Sequence, residues 1–78
     1  MDSNELQKLM REKLEVVPNK ARRVIEYLLT NTREAAFRSI GEVADQLEVS
    51  KAQMVRVARI LGFTGYAELK DALQGAIL

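Results

Sequence analysis

Between Ser50 and Ile60 the chain carries three cations, Lys51, Arg56 and Arg59, with Gln53 among them and no Asp or Glu. Residues of these types can meet the edges of DNA bases. Arg pairs bidentately with guanine O6 and N7, Gln with adenine N6 and N7, and small apolar side chains such as Ala52 and Val55 touch thymine methyls. For that chemistry the polar groups must share a face. At about 100° per residue of a helix, Ala52, Arg56 and Arg59 fall together, flanked by Gln53, Val55 and Ile60, opposite a stripe of Met54, Val57 and Leu61. The stretch before it has the opposite sign, through Glu42, Asp45 and Glu48. An acid-free basic face is what a helix lying in the major groove presents; the plainer alternative is a solvated basic face that binds nothing.

Such a face has to be held by something. Ile40, Val43, Ala44 and Leu47 recur at i, i+3, i+4 and i+7, and Met54, Val57, Ala58 and Leu61 repeat the spacing, so two short amphipathic helices are predicted. Glu48, Val49 and Ser50 form the turn between them, with Val49 directed into the angle of the helices and Ala44 small enough for a close crossing. Ser39 and Ser50 each stand before a helix, where a hydroxyl accepts a hydrogen bond from a first-turn N–H. Residues 39–61 therefore read as a helix-turn-helix. Gly41 lowers helical propensity in the first helix and allows close approach of the backbone to phosphate or to another helix. Ser39 is a candidate phosphate contact, because helix N-termini attract anions.

The run SIGEVADQLEVSKAQMVRVARILGFTGYAELK resembles the N-terminal DNA-binding domain of RpiR-type transcriptional regulators. The matching positions are Ser39, Ile40, Glu42, Ala44, Leu47, Val49 and Ser50, then Ala52, Arg56, Arg59, Leu61, Gly62, Phe63, Gly65, Tyr66, Leu69 and Lys70. LGFTGY, directly after the basic helix, is the most specific part. Upstream, RRVIEYLLTN resembles the helix that precedes the motif in that family, so the likeness runs from Val17 to Leu73. Gln53 stands where the family usually has Thr, which bears on base preference; Val57 replaces a usual Phe, Ala21 an acid and Thr32 a Pro. The resemblance implies a regulator of sugar metabolism. Family members typically continue into a sugar-isomerase-like domain that senses phosphosugars. The sequence is accordingly expected to be the DNA-binding part of such a regulator, or a protein that has lost its sensor, and a phosphosugar effector is expected only if a C-terminal sensor domain exists.

Composition narrows the other classes. Seventy-eight residues suit one domain with a small core. No run of about 20 apolar residues exists to span a membrane, and MDSNELQK is too polar for a secretory signal. Cys and His are both absent, which removes disulfides, thiolate zinc sites and the Ser-His and Cys-His nucleophile schemes. No enzyme activity, cofactor or metal is expected, and the setting expected is cytoplasmic. Net charge is only +1, so affinity for a polyanion must come from the distribution of charge.

Taken in order, the chain opens with a helix predicted over residues 4–14, its stripe Leu6, Leu9, Met10 and Leu14 and its cap Ser3 or Asn4. Its other faces alternate in sign, as solvated surfaces do. The stripe either packs on the domain itself or meets a second copy, and a two-fold DNA site favours a homodimer. Pro18 starts a second helix that runs to Thr30 and buries Ala21, Val24, Ile25, Leu28 and Leu29, with Tyr27 partly buried. Lys20, Arg22 and Arg23 form a solvated patch or touch the DNA backbone or a neighbour. Asn31 and Thr32 supply turn and cap chemistry, and a short helix follows through Phe37, with Ala35, Ala36 and Phe37 packing against the helix-turn-helix. Gly62 is the expected left-handed terminator, and Phe63 turns back to the core. A last helix opens at Thr64 or Gly65 with Tyr66, Leu69, Leu73 and Ile77 on one face, and Thr64, Tyr66 or Lys70 is placed to touch phosphate. Gly75 to Leu78 reads as a weak helix end, frayed or cut from a longer chain.

The expectation is thus an all-α compact bundle of about five helices, one domain over residues 1–78, that binds double-stranded DNA. Lys51, Gln53 and Arg56 are the base-edge candidates, with Ala52 and Val55 as apolar neighbours; Ser39, Ser50, Arg59 and Lys70 are the backbone positioners. A protein-interaction or dimerisation module using the same helical surfaces is the alternative, and competition between an acidic partner and DNA for Arg56 and Arg59 separates the two.

Overall fold

Asp2 starts the first helix, its carboxylate accepting the Glu5 N–H at 2.8 Å. The cap is therefore neither Ser3 nor Asn4: an ionised acceptor also meets the positive end of the helix dipole, which a hydroxyl or amide does less well. In the computed structural model, which describes residues 2–77, six helices follow: α1 Ser3–Leu14, α2 Asn19–Thr30, α3 Thr32–Phe37, α4 Ile40–Leu47, α5 Lys51–Ile60 and α6 Tyr66–Ala76. The expected count of about five is one short, although the short α3 is itself among the expected segments. Among the described residues no helix is long and apolar enough to cross a membrane.

α1 lies against α2 and α6. Leu6 and Met10 are buried and Leu9 and Leu14 pack half-buried at the rim, so the stripe serves this chain's own core. Pro18 sits just ahead of α2 with extended backbone, where its missing N–H costs no helical bond. Ala21, Val24, Ile25 and Leu28 are buried as their spacing demands. Tyr27 is buried as well, more deeply than expected, and Leu29 is only half-buried. Replacing a residue such as Leu28 with Ala would cost about 2–5 kcal/mol through lost burial and the cavity left behind.

Two expectations about the α2–α3 junction need correction. Asn31 precedes α3 but makes no capping bond; its amide donates to Thr30 Oγ1 at 2.9 Å. Thr32 instead closes α2, its hydroxyl donating to the Leu28 carbonyl at 2.7 Å. The second correction concerns Phe37, which is 67% exposed. Ala35, Ala36 and Phe37 span about 200° of helix, so one neighbour cannot cover all three. The two alanines are buried, and α3 packs chiefly on α6 and α2, not on the helix-turn-helix. Their small side chains let α6 come close enough for the Gln74 amide to donate to the Ala36 carbonyl at 2.9 Å.

α5 is terminated at Gly62, whose φ is 95°. The Phe63 N–H donates to the Ala58 carbonyl at 2.9 Å and the Gly62 N–H to that of Arg59 at 3.0 Å, the paired bonds of a Schellman ending. Phe63 packs half-buried on the core, and α6 then buries Tyr66, Leu69 and Leu73. Ile77, the last position of that stripe, is half-buried just past the helix end, and Leu78 lies outside the described residues. α5 is held by α2, α4 and α6 together, which leaves one side open.

Candidate nucleic-acid interface

The helix-turn-helix begins at a reciprocal cap. The Glu42 N–H donates to Ser39 Oγ at 3.1 Å, and the Ser39 N–H donates to Glu42 Oε1 at 3.0 Å. This is a capping box, and its sequence signal is the acid three residues after the serine. The Ser39 backbone N–H, followed by its side chain, holds the Glu42 carboxyl below the ordinary carboxylate range, with Arg38 and Lys70 adding attraction. Val43 and Ala44 are buried, and Ile40 and Leu47 are half-buried.

At the end of α4, Glu48 takes a left-handed conformation with φ 57°. The Val49 N–H donates to the Ala44 carbonyl at 2.9 Å and the Glu48 N–H to that of Asp45 at 3.2 Å, so α4 closes like α5 but with no glycine to do it. Val49 packs partly buried at the core, inside the turn. From α2, Arg23 Nη2 donates to the Leu47 carbonyl at 2.7 Å. Within the basic cluster near the start of α2, Arg23 thus braces this turn, Arg22 pairs with Glu26 at 3.4 Å across two exposed side chains, and Lys20 is exposed.

Ser50 caps α5 by accepting the Gln53 N–H at 3.0 Å. Met54, Val57 and Ala58 are buried beneath, and Ala52, Arg56 and Arg59 are exposed. With half-buried Val55 and Ile60 these three line one open depression on the free side of the helix. Gln53 is half-buried at its flank. Exposed Lys51 does not extend along that face. A Cβ placed on Gly41 would lie 3.3 Å from Lys51 Cε, 3.7 Å from its Nζ and 3.9 Å from Ser39 Oγ, so the lysine stem crosses the first turn of α4. Half-buried Lys70 stands near the same turn, where its charge reaches Glu42.

The expected positions therefore separate into three places. Ala52, Val55, Arg56 and Arg59 share the open side of α5 with Gln53 at its flank, Ser39 and Lys51 both lie against Gly41 at the start of α4 with Lys70 nearby, and Ser50 lies at the α5 cap. Of the other phosphate candidates, Thr64 donates its hydroxyl to Glu68 Oε2 at 3.0 Å. Tyr66 is withdrawn from that role: it is 7% exposed, because the apolar stripe of α6 turns its ring inward. Its hydroxyl is buried with no partner among the described residues, and burial raises its pKa, with Tyr27 contributing. Tyr27 is also pushed up by burial; its hydroxyl reaches Gln46 Oε1 at 3.4 Å and Glu34 Oε2 at 3.5 Å. Arg38 donates to the same Gln46 oxygen and pairs with Glu34 at 3.6 Å, tying α2, α3 and α4 together. The bracing role of Arg23 and the seat that Gly41 leaves for Lys51 are what the spacing of residues does not carry.

Residues 4–77 match the family model described as helix-turn-helix domain, rpiR family. The HTH-type transcriptional regulator RpiR of Escherichia coli strain K12 is 35% identical over 65 residues, covering 83% of this chain and 22% of the relative. The protein of the same name from Escherichia coli O6:H1 gives the same figures. This chain thus spans about a fifth of the length of those curated relatives. Among solved structures, Vibrio vulnificus NanR complexed with ManNAc-6P superposes with a TM-score of 0.85 at 32% identity, over 88% of this chain and 26% of that one. The N-terminal domain of ybbH from Bacillus subtilis subsp. subtilis str. 168 superposes at 0.84 over 92% of this chain and 88% of that one; at 21% identity it speaks for the fold. A capped pair of helices around a three-residue turn, a basic α5 face and a match along almost the whole sequence place this chain in the rpiR family of helix-turn-helix domains.

Proposed function

We propose that this chain is the sequence-specific DNA-binding domain of a transcriptional regulator, folding as one unit over residues 1–78 and laying α5 in the major groove. The observation that carries the reading is the acid-free open side of α5, where Arg56 and Arg59 project from a helix held on its other sides by α2, α4 and α6. In this reading Arg56 and Gln53 meet base edges beside Ala52 and Val55, and Ser39, Ser50, Arg59 and Lys70 fix the register on phosphates. Lys51 meets the DNA from the start of the same helix. A domain of this size contacts few base pairs, so it acts as a homodimer on half-sites about one helical turn, or a multiple, apart. Its working place is the cytoplasm, and neither catalysis nor a cofactor enters its role.

Control of sugar metabolism is the biological role proposed, supported by the family and by a solved relative captured with ManNAc-6P. A phosphosugar effector would need a sensor domain in addition to these residues, since the relatives are about four to five times longer than the part matched.

Selection from randomised duplex DNA at two salt concentrations, with sequencing of what is retained, tests the proposal. A symmetric motif bound with affinity that falls steeply in salt, as counterion release requires, is the expected result. Salt-sensitive retention without a motif would reduce α5 to a generic basic surface. No retention would favour a protein-interaction module, although the Leu6 and Met10 positions of the α1 stripe are already spent on the chain's own core.

A further inference from the structure

Gly41 stands in the first turn of α4 with ordinary helical backbone. Conformation gives no reason for glycine there, and its helical propensity is poor. Space does give one. A methyl group at this position would come within 3.3 Å of Lys51 Cε, tighter than ordinary van der Waals contact, and within 3.7 Å of the ammonium nitrogen. Lys51 is the first residue of α5 and lies about 100° around that helix from Ala52. Its stem lies over the bare Gly41 backbone, in the turn that Ser39 caps, and not in the depression lined by Arg56 and Arg59.

We infer that Gly41 and Lys51 act as a unit, in which the missing side chain at 41 seats the lysine so that its ammonium meets the sugar-phosphate backbone beside Ser39. Lys51 is then a positioning contact and leaves base reading to Arg56 and Gln53. This rests on the DNA-binding reading and goes beyond it, because on residue type alone Lys51 is equally a base reader. The ammonium is strongly hydrated and suits a phosphate as a point charge, and a lysine folded across a neighbouring helix cannot also extend down the groove.

The test is a double-mutant cycle on the whole chain with Gly41→Ala, Lys51→Ala and both, using labelled random duplex and a duplex carrying the selected motif. Thermal melting checks each variant's fold; Gly41→Ala is expected to melt at the same temperature or higher, since alanine favours the helix. Lys51→Ala should weaken binding to both duplexes by the same factor, roughly fivefold, and lower the slope of log affinity on log salt by about 0.9. Gly41→Ala should weaken both by about twofold when Lys51 is present and not at all in the Lys51→Ala background. A loss on Lys51→Ala confined to one base pair would overturn the inference by making the lysine a base reader. Equal losses from Gly41→Ala with and without Lys51 would also overturn it, by showing that Gly41 acts alone. If the unaltered chain bound no duplex, the DNA-binding reading would fall and this inference with it; binding with an additive cycle would sink only the inference.

Discussion

The guanidinium of Arg23 lies 2.7 Å from the carbonyl of Leu47, joining α2 to the last residue of α4 just before the chain reverses into α5. A cation at a helix C-terminus satisfies a carbonyl that has no intrahelical partner and complements the dipole. The bond is exposed to water, so Arg23→Ala should lower stability by only about 1 kcal/mol in denaturant unfolding. Because the bond ties the turn to α2, DNA affinity should fall on all sequences alike while its salt slope stays unchanged. A reduced slope would instead mean that Arg23 touches phosphate.

Arg56 is the strongest base-reading candidate, being exposed on the open side of α5 beside Ala52. Arg56→Ala should cost about 1–3 kcal/mol at one base pair and relax the preference there. Titration of the variant against duplexes substituted one position at a time checks it. Uniform weakening on every duplex would assign Arg56 to the backbone.

Glu48 occupies the left-handed region at φ 57°, which costs an L-residue with a Cβ about 1–2 kcal/mol relative to glycine's freedom there. Part of that is offset by the entropy glycine loses on folding. Glu48→Gly should therefore raise stability by about 0.5–1 kcal/mol and leave the Val49 to Ala44 bond in place. A chemical denaturation midpoint that moves down would show that the Glu48 side chain makes a contact worth more than the strain.

The capping box makes α4 sensitive to acid. Ser39 holds the Glu42 carboxyl below its ordinary range in the folded chain, so the folded pKa is lower than the unfolded one. The associated stability is present above the unfolded value and is lost as pH falls through the folded value. Melting temperatures from neutral to about pH 3 should drop on an acid limb to which Glu42 contributes. Glu42→Gln keeps an acceptor for the Ser39 N–H but cannot titrate, so its limb should be shallower. Identical limbs in the two proteins would remove Glu42 from the account.

Where local chemistry sufficed, the residues foretold the structure. The stripes from Ile40 to Leu47 and from Met54 to Leu61, the caps at Ser39 and Ser50 and the terminator at Gly62 all depend on atoms within a few residues, and all are found. The cap at Asp2 was missed by one position although its signal is local, because Ser, Asn and Asp compete closely for that place. Phe37 was misplaced because the partner of α3 was not legible: α6 lies more than 25 residues downstream and takes only the alanine side.

By itself the sequence determined where the helical segments lie, most of their ends and a basic face on α5, because helical period, capping and charge are properties of neighbouring residues. Only the tertiary structure decided that Arg23 braces the turn from 24 residues away. It also decided that Tyr66 turns its hydroxyl into the core, and that Lys51 lies over Gly41 instead of along its own helix. Each of those depends on which surfaces α2, α4 and α6 bring into contact, and packing of that kind has no signature in the spacing of residues along the chain.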